Sequence, residues 1–244
     1  MCRTVRVGCS GWDYPHWRGV FYPDDLPRPA WFAHYAARFD TVEINYSFYR
    51  LPSAAVIARW RAQAPAGFTY ALKASRYLTH MRKLGEPEGP LERITAAARG
   101  LGEHLGPILY QLPPRWRLDL ARLDRFLAAL PPGYRHVLEV RDPTWLVDDV
   151  RTRLESAGVG FCVHDAAGID VPRWVTGPVV YLRLHGAREG LREGYPDRLL
   201  DDWAAWLEGA ANPARPAFVY FNNDAHGHAV ADAQRLAARL AAAV

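Results

Sequence analysis

Residues 41–49 run Thr-Val-Glu-Ile-Asn-Tyr-Ser-Phe-Tyr, a β-branched and aromatic stretch that reads as a strand. Strand side chains alternate between two faces. Val42, Ile44 and Tyr46 therefore share one face, and Glu43 and Asn45 the other. A carboxylate and an amide opposite an aliphatic face point either to water or into a polar cavity. The same pattern recurs. Phe68, Tyr70 and Leu72 stand opposite Thr69, Ala71 and Lys73; Val137, Glu139 and Arg141 share a face, as do Tyr181, Arg183 and His185. Recurrence of charged groups on one strand face after another favours a common cavity.

Eight segments have this strand character: residues 5–9, 41–49, 68–74, 107–112, 135–141, 158–165, 179–185 and 217–223. Between most of them lies a helical pattern, over residues 31–39, 53–63, 91–101, 118–130, 145–157, 198–207 and 230–243. Ser53 reads as an N-cap. Residues 170–174, between the sixth and seventh strands, read as loop. Alternating strands and helices imply parallel pairing with the helices outside. Eight such units over this length predict a (β/α)8 TIM-type barrel. The rival, an open doubly wound sheet, is weakened because no Gly-x-Gly-x-x-Gly turn follows the first strand. No composition shift or flexible linker divides the chain, so residues 1–244 are expected to form a single domain.

Composition adds little to the fold but narrows the partners. Half of the 244 residues are hydrophobic, which is ample for a full core. The net charge of +4 favours a small anionic ligand and leaves nucleic acid as an alternative partner. Cys2, Cys9 and Cys162 form no spaced metal or disulfide pattern, and sparse unpaired thiols suit a reducing cytoplasm. The first residues lack the apolar run of a secretory leader, and no run reaches bilayer length. A cytoplasmic protein without membrane contact is the expectation.

Candidate chemistry gathers at the strand ends: Ser10, Glu43, Asn45, Lys73, Gln111, Glu139, Arg141, Asp165, Arg183, His185, Asn222 and Asn223. In a barrel these ends converge on the face that carries active sites. Three acids (Glu43, Glu139, Asp165) match three bases (Lys73, Arg141, Arg183) in number, so a neutralised cluster is feasible. Glu43 and Glu139 are the candidate acid and base. Lys73 suits an ion pair, a phosphate or a nucleophilic amine. Arg141 and Arg183 suit bidentate recognition of an anion, and His185, Gln111, Asn222 and Asn223 would orient it. Trp12, Tyr14, Trp17 and Tyr22 either wall the ligand or pack the first loop over the barrel end. A divalent ion on Glu139, Asp165 and His185, with His226 or His228, is a weaker alternative, because no local ligand signature supports it and arginine beside a cation is unfavourable. Neither a metal nor a cofactor is expected.

These residues resemble a known family. Gly8-Cys9-Ser10-Gly11-Trp12 leads, with Tyr14, Trp17, Gly19 and Phe21-Tyr22-Pro23. Thr41-Val42-Glu43-Ile44-Asn45, Phe48-Tyr49 and Pro52 follow, then Lys73 with Thr79-His80 and Gln111-Leu112-Pro113-Pro114. Glu139-Val140-Arg141 with Trp145, Arg183-Leu184-His185-Gly186 and Phe221-Asn222-Asn223 complete the order. The chain is similar to the YecE-like family, domain of unknown function 72, from the first strand to the last helix. That resemblance implies a TIM barrel and no particular activity. Cys9 and Asp142-Pro143 depart from it, where threonine and histidine are the commoner residues. The leading expectation is an acid/base enzyme, of hydrolase or isomerase type, on a small anionic sugar- or phosphate-bearing ligand. The alternatives are an endonuclease-like, nucleic-acid-processing barrel and a non-catalytic ligand-binding protein.

Overall fold

The computed structural model of the protein describes residues 4–186 and 194–242. Eight strands lie in it: β1 (Val5–Cys9), β2 (Thr41–Ile44), β3 (Thr69–Lys73), β4 (Leu105–Gln111), β5 (His136–Glu139), β6 (Gly160–His164), β7 (Val180–Leu184) and β8 (Ala217–Phe221). They pair in parallel in the order β1-β8-β7-β6-β5-β4-β3-β2. The helices between them are α1 (Trp31–Ala36), the single turn α2 (Tyr46–Tyr49), α3 (Ala54–Gln63), α4 (Glu88–Leu101), α5 (Leu120–Ala129), α6 (Asp148–Ser156), α7 (Asp197–Ala210) and α8 (His228–Ala242). The expected TIM-type barrel is therefore the observed architecture. No helix among the described residues is long and apolar enough to cross a membrane.

Two hydrophobic layers hold it. Strand residues of one parity, such as Leu72, Ile108, Leu138, Val163 and Leu182, pack outward under the helices. The other parity fills the barrel interior with Ala71, Leu109, Val137, Cys162, Tyr181, Phe218 and Tyr220. Ser53 caps α3, its Oγ accepting from the Val56 N–H at 3.4 Å. No helix follows β6. There the loop itself covers the sheet, with the Trp174 ring 5.0 Å from that of Phe161 and Thr176 Oγ1 donating to the Val159 carbonyl.

The expected strand over residues 41–49 is corrected at its second half. β2 stops at Ile44, and Tyr46–Tyr49 turn as helix α2. Ser47 is the cause. Its buried hydroxyl lies 2.9 Å from the Ile44 carbonyl and 2.6 Å from that of Lys73, which turns the chain back onto β3. Tyr46 therefore does not share a face with Val42 and Ile44; it is exposed.

The seam between β1 and β2 is closed by a side chain. Tyr35 Oη accepts the Cys9 N–H at 2.8 Å and donates to the Thr41 carbonyl at 2.9 Å. Gly8 makes room for this, since a Cβ there would lie 2.2 Å from the Thr41 oxygen and 2.8 Å from Tyr35 Oη. Gly8→Ala is expected to open the seam and cost roughly 1–3 kcal/mol, typical of overpacking. A denaturant titration showing wild-type stability for that variant would contradict this account of the closure.

Candidate functional site

Alternation brings one polar side chain per strand to the interior at the C-terminal end: Ser10, Glu43, Lys73, Gln111, Glu139, His164, Arg183 and Asn222. Arg183 is the hub, only 1% exposed. Its Nε and Nη2 donate to the two Glu43 oxygens at 3.0 and 2.8 Å, and its Nη1 donates to Glu139 at 2.9 Å. Glu43 also accepts from Ser10 Oγ at 2.8 Å and from Tyr181 Oη at 2.7 Å. Glu139 accepts a second arginine bond, from Arg141 Nε. Burial pushes the Glu139 carboxyl up, but Arg183 and then Arg141 outweigh it and hold the group well below the usual carboxylate range.

Above this floor opens a cavity of about 420 Å³, within the range of small-molecule sites. Lys73, Arg141 and Arg183 give it three cations. Asn45, Gln111, His185 and Asn222 line it with neutral polar groups, and Tyr14 and Tyr49 flank it. Glu43 and Glu139 are fully enclosed beneath it, each at 0% exposure. The two carboxylates expected to serve as acid and base are thus buried, both bonded to Arg183.

His185 is held neutral. Burial and then Arg183 push its imidazole down to about 2. Arg141 Nη2 lies 2.7 Å and Arg183 Nη1 3.4 Å from His185 Nε2. Arginine only donates, so Nε2 accepts and the ring proton sits on Nδ1. Nδ1 lies 3.0 Å from the Asn222 amide, which must present its oxygen there. Lys73 is the group poised near neutrality: burial, then Arg183, bring its ammonium down to about 8. Asn45 Nδ2 donates to the Ser10 carbonyl at 3.2 Å, while its buried Oδ1 has no hydrogen-bond partner.

Three expected site residues point elsewhere. Trp12 packs on the outer layer, with Phe32, Trp60 and Tyr70 rings 5.3 to 6.4 Å away. The packing role of the first loop extends to Trp17 and Tyr22, both buried. Asp165 lies at the wrong parity: it accepts from the His185 N–H at 2.6 Å and from Tyr195 Oη, while His164 is the interior residue of β6. Asn223 turns toward α8 and donates to Asp232 at 2.8 Å. The Gly186 N–H donates to Tyr195 Oη at 2.7 Å. The divalent-ion alternative meets arginines on both Glu139 and His185. No cluster of three metal-ligating side chains occurs among the described residues. Tyr195 and the mouth-facing direction of Tyr49 carry no signal in the sequence, whereas Tyr181 is marked by alternation with Arg183 and His185.

The model of the family described as "Protein of unknown function DUF72" matches residues 6–244. The chain belongs to the DUF72 family. A DUF72 family protein from Thermotoga maritima superposes with a TM-score of 0.85 at 25% identity, covering 97% of this chain and 99% of that one. A DUF72 family protein from Enterococcus faecalis gives a TM-score of 0.81 at 16% identity, over 97% and 95% of the two chains. The structure named SacUVDE shares the fold alone, with a TM-score of 0.54 at 9% identity over 84% of this chain and 81% of that one. No curated protein matches the chain.

Proposed function

We propose that the barrel mouth of this DUF72 protein is the active site of an enzyme that binds a small anionic, sugar- or phosphate-bearing ligand and works on it by acid–base chemistry. One observation carries the reading. Three cationic side chains line the 420 Å³ cavity, while the two carboxylates paired with the arginines lie wholly beneath its floor. Among the described residues the ligand side of the site therefore presents cations and neutral polar groups and no acid. An anion supplies the missing charge, and a ligand hydroxyl supplies the donor that Asn45 Oδ1 lacks. Lys73, near 8, exchanges the proton; His185 stays neutral and holds the arginines in place.

Calorimetric titration with inorganic phosphate and with sugar phosphates tests the site. One binding event per chain is expected, weakened about tenfold or more in Arg141→Met, as suits the loss of a charge-assisted contact. Unchanged affinity in that variant would remove Arg141 from the site. Turnover of a sugar-phosphate panel separates an enzyme from a protein that only captures its ligand.

A second reading, nucleic-acid processing, has its own observation. Beside the cavity, α2 and the turn after β3 expose Tyr46 (53%), Tyr49 (70%) and Tyr77 (40%). Arg50 and Arg76 are exposed among them, and Arg82 stacks 5.7 Å over Tyr77. Aromatic and basic side chains together form a platform for unstacked bases. This reading predicts single-stranded DNA or RNA binding that falls steeply with salt and weakens in a Tyr46→Ala, Tyr49→Ala, Tyr77→Ala chain. Absence of binding at low salt ends it.

A further inference from the structure

Lysine is scarce in this chain. Only Lys73 and Lys83 interrupt a set of 30 basic residues that is otherwise arginine. Lys83 is exposed, on a turn with positive φ. Lys73 lines the cavity. For gripping an anion the planar arginine fork is the better group, and Arg141 and Arg183 already provide it. What lysine adds is an amine that can lose its proton and attack carbon.

The surroundings suit that use. Lys73 Nζ stands 4.4 Å over the centroid of the Phe48 ring, a cation–π contact that holds the amine in place. Ser47, tied to the Lys73 carbonyl, clamps α2 to the end of β3 and so fixes Phe48 over the amine. Arg183 and Arg141 supply like charge nearby. Among the described residues no carboxylate lies within ion-pair distance of Nζ, because Glu43 and Glu139 are spent on the arginines. A lysine kept only for an ion pair would have its acid beside it.

We infer that Lys73 is a covalent catalyst, forming an imine through Nζ with a small aldehyde or ketone whose carboxylate or phosphate is held by Arg141 and Arg183. This rests on the anion-binding reading above and deepens it. The neutral amine adds to the carbonyl carbon, and its proton passes to the carbonyl oxygen to give a carbinolamine. Uptake of one proton and loss of one water leave a protonated imine. A proton then leaves the adjacent carbon for water, its C–H electrons forming the C=C of an enamine and neutralising the nitrogen; a proton returning to that carbon and water adding back in the reverse sequence free the amine and the carbonyl compound. Release of the proton near pH 8 leaves a working fraction of neutral amine at physiological pH.

Reduction with sodium borohydride in the presence of glyoxylate, pyruvate or dihydroxyacetone phosphate tests this, read by intact-mass spectrometry and peptide mapping. One hydride-reduced adduct per chain is expected on Lys73 and none with acetone. Its formation rises as pH passes through about 8. The adduct should vanish in Lys73→Arg and in Lys73→Met, each checked for folding by circular dichroism, and persist in Lys83→Arg. The carboxylate and phosphate probes show which anion the arginines prefer. Adducts confined to Lys83 and the N-terminus, adducts that survive in both Lys73 variants, or none with any probe would overturn the inference. Phosphate calorimetry on the same protein separates the two claims: binding without adduct sinks the imine alone, and loss of both sinks the anion site as well.

Discussion

Arg183→Met is expected to strip the protein of most of its stability at neutral pH. The guanidinium is the shared partner of two carboxylates that have no exposure to water. Breaking a buried pair from one side typically costs about 3–5 kcal/mol, and here Glu43 is left without its cation while Glu139 keeps only Arg141. A domain has only about 5–15 kcal/mol in total. Urea titration followed by circular dichroism reads the loss. Adding Glu43→Gln and Glu139→Gln should restore part of it, because the stranded charges are then gone. The pH dependence changes sign with the mutation. In the wild-type chain Glu139 is held low, so its contribution is present above the ordinary carboxylate range and is lost as pH falls through its folded value. In Arg183→Met a buried carboxylate is left without its counter-charge, so mild acid, which neutralises it, should stabilise the variant. A variant as stable as wild type at pH 7 would show that the floor of the site is not held by this arginine.

Lys73→Met should do the reverse. It removes an enclosed amine that has no carboxylate partner among the described residues, so the melting temperature is expected to stay level or rise. Chemistry should suffer instead. Loss of a positioned proton-transfer group lowers kcat by about 10² to 10⁴, measured on whichever panel substrate the wild type turns over. A variant that unfolds would mark Lys73 as a structural residue, and one that keeps full turnover would remove it from the mechanism.

Period-two alternation made the barrel and the identity of the mouth residues legible. It put Glu43, Lys73, Glu139, Arg183 and His185 on interior faces, and the structure brings all five to one end of the ring. Depth was not legible. Glu43 pairs across the sheet with Ala71, so Lys73 lies two residues further toward the mouth and reaches the cavity, while the carboxylate is sealed beneath Arg183. Strand ends mislead where parity slips by one residue: Asp165 stands in the candidate set where His164 is the inward group, and Asn223 stands there beside the inward Asn222. β2 was overextended because Tyr46, Phe48 and Tyr49 favour strands, while the turn is set by the hydroxyl of Ser47 and a carbonyl 26 residues away. Trp12 looked like a ligand wall because aromatic loops serve both uses, and only the outer layer of Phe32, Trp60 and Tyr70 decides which.

With just two lysines in the chain, selective isotope labelling of lysine side chains gives a pair of amine signals whose titration can be followed by NMR. The account predicts that one, absent from Lys73→Arg, titrates near pH 8 and moves upward when inorganic phosphate fills the cavity. Two signals that both titrate as ordinary lysines and ignore phosphate would contradict it.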